Sequence, residues 1–193
     1  MPPAVTHTFS PNSPQELGSV SLNPLEPSAK IIVVGAGAFG SWAAYSLLKK
    51  GYKVTLVDAW GPGHSRSSSG DETRVIRSTY GSNETYFDLN VKALGLWKDF
   101  ETRINRRIFH NTGVLWFCYD EKTSLVDDSI PFAKKHRMDY EYLSLAELKK
   151  RFPLIHSSDL HHAWFDPYGG YLNARESIQL LNQIFIQDGG EYM

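Results

Sequence analysis

One segment limits what this chain can fold into more than any other. Ile31-Ile-Val-Val34 is an unbroken β-branched run, as expected of a strand buried on both faces of a parallel sheet. It leads into Gly35-Ala-Gly37-Ala38-Phe39-Gly40, then into good helix formers ending near Lys50, with Gly51 placed to close the helix. Lys53-Val-Thr-Leu-Val57 follows as a second apolar strand and stops at Asp58. Strand, glycine turn, helix, strand and terminal acid make a βαβ unit. That order commits the chain to the α/β class with a Rossmann-like sheet.

Each position in the turn has a mechanical reason. Gly35 permits the tight turn, Gly37 admits a diphosphate against the backbone, and Gly40 lets the helix lie close on the strand. The N–H groups that open the helix at Ala38 and Phe39 face an anion, and the helix dipole adds to the attraction. A carboxylate at Asp58 accepts hydrogen bonds from ribose hydroxyls and repels a 2′-phosphate. The unit therefore reads as a site for the ADP half of a dinucleotide, contacted by Gly35, Gly37, Ala38, Phe39, Gly40 and Asp58. FAD and NAD share that half, so both stay open at this point.

Charge excludes other partners. A net charge of -1 offers neither nucleic acid nor an anionic membrane a basic surface. The pairs Lys134-Lys135 and Lys149-Lys150 sit among acids and read as solvated helix faces. No apolar run approaches the roughly 18 residues of a membrane span. The lone cysteine, Cys118, lies in the apolar run Val114–Tyr119 and reads as a buried strand residue, with no intrachain disulfide available. Residues 1–28 are rich in Pro, Ser and Asn and read as a flexible tail, lacking the charged and apolar regions of a secretory leader. The expected location is cytoplasmic, or peroxisomal if a C-terminal signal lies outside this sequence.

Beyond Asp58 the pattern changes. Residues 59–70 form a loop. Ser69 and Glu72 have capping-box spacing, which predicts a short helix carrying Thr73 to Arg77. A longer helix is expected from Glu84 to Ile104, capped by Asn83 and buried through Phe87, Val91, Leu94 and Trp97. Residues 107–110 and 114–119 read as strands around the turn Asn111-Thr-Gly113. Helical patterns return over residues 121–135 and from Ser144, where Ser144 and Glu147 make another capping box. A strand over residues 161–166 is broken by Pro167-Tyr-Gly-Gly170. A last helix, capped by Asn173 and Glu176, then runs to Gln187, and a sheet partner should follow Gly189-Gly190. Trp97, Phe100, Trp116, Phe117, Trp164 and Phe165 are core candidates.

His156, His161, His162, Asp159 and Asp166 invite a metal reading. Adjacent histidines on a strand point to opposite faces, so no metal site is assigned. No Ser-His-Asp or Cys-His spacing can be argued either.

The stretch from His64 to Gly81 carries the most specific signal. Ser67-Ser68-Ser69-Gly70, Thr73-Arg74-Val-Ile-Arg77 and Tyr80-Gly81, together with the glycine fingerprint, resemble the monomeric sarcosine oxidase and pipecolate oxidase group. That group belongs to the D-amino-acid-oxidase-like FAD oxidoreductases. Pro167 to Leu172 and the helix after it also resemble that family's return to its FAD domain. The resemblance implies FAD as cofactor, with Ser67, Ser68, Ser69, Thr73 and Arg74 beside the isoalloxazine. It also implies that Arg77 pairs with a substrate carboxylate and that Tyr80 adds a hydroxyl. On a helical turn Arg74 and Arg77 would project to the same side.

The implied chemistry is oxidation of a small amine or amino acid, N-methyl or cyclic, to an imine, with O₂ reduced to H₂O₂. The implied architecture is a discontinuous FAD domain, residues 29–107 and 168–193, with residues 108–167 starting a β-containing substrate domain. The family's oxygen-activating lysine and later FAD contacts would lie beyond Met193, so the chain is expected to be incomplete. Two alternatives stand beside this reading: a nicotinamide-dependent dehydrogenase, and a catalytically incompetent FAD-binding fragment.

Overall fold

Strand β1 (Lys30–Val34) hydrogen-bonds in parallel to β2 (Lys53–Val57), with Ile32 opposite Thr55, and helix α1 (Ala38–Lys49) joins them. A short third strand, β9 (Glu191–Tyr192), lies parallel on the far side of β2. The computed structural model describes residue 26, residues 29–156 and residues 158–193. The predicted N-terminal tail falls outside these except for residue 26.

The expectation that β1 is buried on both faces fails. Val33 packs toward the core formed by Ala36, Ala44, Val54, Leu56 and Phe185, but Ile32 and Val34 are 68% and 81% exposed. The cause is one-sided cover. Helices α1 and α6 (Ala174–Gln187) pack against each other on one face of the sheet, and among the described residues nothing covers the other.

A second sheet is antiparallel, in the order β3 (Thr73–Ile76), β8 (Gly170–Asn173), β4 (Phe109–His110). Here the predicted helix over Thr73 to Arg77 is a strand. Thr73, Val75 and Ile76 are β-branched, and β8, which the sequence pattern did not disclose, offers a partner: Arg74 stands opposite Leu172. The capping box that argued for a helix never forms, because the Ser69 hydroxyl accepts from the N–H of Ala38 instead. In an extended chain, residues three apart face opposite sides, so Arg74 and Arg77 do not project together.

The third sheet runs β5 (Val114–Cys118), β7 (His162–Asp166), β6 (Glu141–Leu143), all antiparallel. Strands β4 and β5 flank the predicted turn but enter different sheets. One face of the third sheet buries Leu143, Ala163 and Phe165 against Leu148 of α5 (Leu145–Arg151). Phe117 departs from its expected core role and is 41% exposed.

Helix α2 (Glu84–Ile104) starts where predicted, its cap Asn83 accepting from the Tyr86 N–H at 3.2 Å. Residues 121–135 give two short helices, α3 (Ser124–Asp127) and α4 (Ile130–Lys135). The capping box of Ser144 and Glu147 closes in both directions on α5. Asn173 makes no backbone cap on α6; its amide donates to the Glu176 carboxylate at 2.9 Å.

The largest core joins these parts. Phe87, Leu94, Trp97 and Phe100 of α2 pack with Val126, Ala133 and Tyr140 and with Leu172, Ile178 and Leu181. Two substitutions on α2 separate cap from core. Asn83→Ala should lower the unfolding free energy by about 1 kcal/mol, and Phe87→Ala by about 3–5 kcal/mol, in urea titrations. Equal losses would contradict this division.

Candidate functional site

The glycine turn is held by the end of β2. Gly35 adopts φ +103°, which favours glycine, and its N–H donates to Val57 O at 2.7 Å. A Cβ on Gly40 would sit 1.8 Å from Gly35 O, so only hydrogen lets α1 approach. The Asp58 carboxylate accepts from Ala36 N–H at 2.8 Å through one oxygen and from Trp60 and Gly61 N–H at 2.8 and 2.9 Å through the other. Burial pushes its pKa upward most strongly, but these three N–H groups and nearby His64 together hold it below its ordinary value. Asp58 was expected to face a ribose; here much of its acceptor capacity is already used on backbone.

The first intrahelical bond of α1 runs from Ser41 N–H to Gly37 O. The N–H groups of Phe39 and Gly40 therefore precede the ladder, and Phe39 is 93% exposed. The serine loop folds back onto this spot. Ser69 Oγ accepts from Ala38 N–H at 3.1 Å and lies 2.8 Å from Ser67 Oγ. A Cβ on Gly37 would meet those two hydroxyls at 3.1 and 3.3 Å. Bare backbone, the helix-start N–H groups of Phe39 and Gly40 and two hydroxyls thus lie close together at the start of α1. The donor set suits a diphosphate.

The predicted residues of the next segment separate. Ser68 contributes its carbonyl, which accepts from Arg74 Nε at 2.8 Å. Arg74 also lies 3.5 Å from Asp71, out in solvent, and Thr73 is exposed on the strand. Arg77 points elsewhere. Its guanidinium carbon lies 4.6 Å from the centre of the Tyr80 ring and 5.2 Å from that of Trp116, and Nη1 donates to Thr79 O. No acidic side chain pairs with it among the described residues. Tyr80 offers its ring face to Arg77, and its N–H donates to Ser129 Oγ at 3.0 Å.

Buried polar groups lie nearby. Thr79 is fully buried and donates to Tyr140 Oη at 3.2 Å. Burial raises the Tyr140 phenol well above its usual range. Asp166, also fully buried, caps its own turn by accepting from Tyr168 and Gly169 N–H at 2.9 and 3.2 Å, and burial raises its carboxyl.

Residues 30–193 match the family described as FAD dependent oxidoreductase. The chain belongs to that family. Monomeric sarcosine oxidase of Bacillus sp. (strain B-0618) is 35% identical over 154 residues, which cover 80% of this chain and 40% of the relative. N-methyl-L-tryptophan oxidase of Yersinia pestis (strain Pestoides F) is 28% identical over 159 residues, 82% and 43% of the two chains. The solved L-proline dehydrogenase from P. horikoshii superposes with a TM-score of 0.73 at 22% identity, covering 86% of this chain and 44% of that one; it shows the shared fold. The chain spans about 40% of the length of the curated relatives it matches. A family built on FAD sets aside the nicotinamide alternative.

His161 precedes β7, and its Nδ1 lies 3.1 Å from that of His162, so the two rings do meet. No cluster of three metal-ligating side chains forms among the described residues. Cys118 is buried, and desolvation raises its thiol pKa. No described helix is long and apolar enough to cross a membrane. Sequence reasoning missed Thr79, Tyr140 and Trp116 as neighbours of Arg77. Trp116 comes from another sheet, 39 positions along the chain, so no local pattern joins it to Arg77.

Asp58 yields a pH prediction. Its folded pKa lies below the ordinary 3.8, so the unfolded chain binds the proton first as acid is added. Its stabilisation is present above that value and is lost as pH falls through the folded pKa. Unfolding free energy should therefore fall more steeply from about pH 5 to about pH 3 in the natural protein than in Asp58→Asn. Parallel acid limbs would show that the carboxylate does not carry the turn.

Proposed function

We propose that this chain forms the nucleotide-binding part of an FAD-dependent oxidase acting on the CH–NH bond of a small amine or amino acid, N-methyl or cyclic. Residues 29–107 and 168–193 make up its FAD domain, and residues 108–167 begin the substrate domain. The observation that carries the reading is Arg77: a guanidinium with no acidic partner among the described residues, set against the rings of Tyr80 and Trp116 just past β3.

Gly35, Gly37, Ala38, Phe39 and Gly40 would hold the diphosphate, with Ser67 and Ser69 adding hydroxyls beside it. Ser68 in the loop and Thr73 and Arg74 at the start of β3 would border the flavin side, with Arg74 tied to the loop through Ser68 O. Asp58 sets the turn and offers its remaining acceptor capacity to the ribose. Bound FAD supplies the two-electron oxidation of the amine to an imine, with O₂ reduced to H₂O₂. Arg77 would grip the substrate carboxylate through paired N–H donors and so fix which carbon faces the cofactor. Tyr80 flanks that grip. The working location is cytoplasmic.

The chain's share of its relatives' length supports a second reading for the isolated polypeptide, an FAD-binding fragment without turnover. The visible spectrum of the purified protein tests the common element: flavin bands are expected, and a colourless protein would remove it. Gly37→Val should abolish flavin retention, because its side chain would enter the space between turn and serines; normal flavin content would sink the assignment. With turnover measured in the complete oxidase, Arg77→Ala should raise KM by roughly 30-fold, equivalent to about 2 kcal/mol of charge-assisted hydrogen bonding. An unchanged KM would take Arg77 out of the site.

A further inference from the structure

We infer that Trp116 is a positioning residue for Arg77: its indole face, with the ring of Tyr80, sets the plane of the guanidinium that receives an anion. This rests on the reading of Arg77 as a carboxylate grip and adds to it a residue from a different sheet.

A guanidinium grips a carboxylate through two parallel N–H donors, so its plane must be fixed before the anion arrives. Most buried arginines are fixed by an acid, which uses those donors. Arg77 has no such acid among the described residues. Its Nη1 donates to Thr79 O, while Tyr80 and Trp116 lie 4.6 and 5.2 Å from its central carbon. Aromatic faces attract the cation through the ring quadrupole and, unlike an acid, use none of its N–H donors. The cation is held without being neutralised.

The supports of this arrangement are themselves anchored. Thr79 is fixed through its hydroxyl to Tyr140, and Tyr80 through its N–H to Ser129. Trp116 is different. Its indole Nε1 is buried without a hydrogen-bond partner, as is that of Trp164 directly across the sheet. What Trp116 contributes is therefore its face and not its N–H. An aliphatic side chain in this place would fill the space but offer no quadrupole.

The test separates shape from π-face. N-methylglycine is titrated into the protein by ligand-observed NMR, with N-methylacetamide as a control that lacks the carboxylate. Arg77→Gln and Trp116→Leu should each raise the Kd for N-methylglycine about tenfold or more, while Trp116→Phe stays within about threefold. Binding of N-methylacetamide should be the same in all. Because Trp116→Leu can disturb folding, tryptophans with one to three ring fluorines are placed at position 116. They keep the shape and weaken the quadrupole stepwise, so affinity should fall with each fluorine. Unchanged affinity across the fluorinated series, with Arg77→Gln still losing the carboxylate, overturns the role of Trp116 alone. Unchanged affinity in Arg77→Gln overturns the grip itself.

Discussion

The fold around the nucleotide turn depends on one carboxylate. Asp58, just past β2, reaches across to the N–H of Ala36 in the turn after β1, and with its other oxygen gathers Trp60 and Gly61. Two neighbouring strands and the loop leaving them are thereby locked at one point, next to the main-chain bond from Gly35 to Val57 O. The conformation of the glycine turn is thus imposed from the second strand as well as by the glycines themselves. A hydroxyl could not do this, since it lacks two acceptor oxygens set apart by a rigid plane.

From that point the chain builds outward in two directions. Helices α1 and α6 close one face of the parallel sheet, with Asn182 of α6 donating to Ser41 of α1 at 2.8 Å in the buried seam. The antiparallel pairing of β3 with β8 then carries the polypeptide from the nucleotide unit to Arg77, where the third sheet meets it through Trp116. The serine loop beside the glycine turn and Arg77 are thus joined by a four-residue strand, which leaves little freedom in their separation.

What the sequence disclosed divides along the range of the forces involved. The βαβ unit, the Asn83 and Ser144 caps and the start of α2 were legible because each is decided within a few residues. Strand β3 was misread as helix because its partner lies far along the chain and because Ser69, the supposed cap, bonds to Ala38 instead. Ile32 and Val34 read as core because hydrophobicity alone does not report which sheet face is covered. Arg74 and Arg77 belong to one motif, yet one is tied to the loop at Ser68 and Asp71 while the other lies against the rings of Tyr80 and Trp116. Trp116 was legible as apolar and not as the neighbour of a cation.

Strand β9 pairs with β2 across a long interval: Thr55 bonds to Glu191 at 2.8 Å, 136 positions later. During synthesis, β1, α1 and β2 leave the ribosome well before β9, which pairs with the outer edge of β2. Closing so distant a contact is entropically slow. In that interval the outer edge of β2 is open to any other extended segment, and the nascent polypeptide is at its most vulnerable to mispairing.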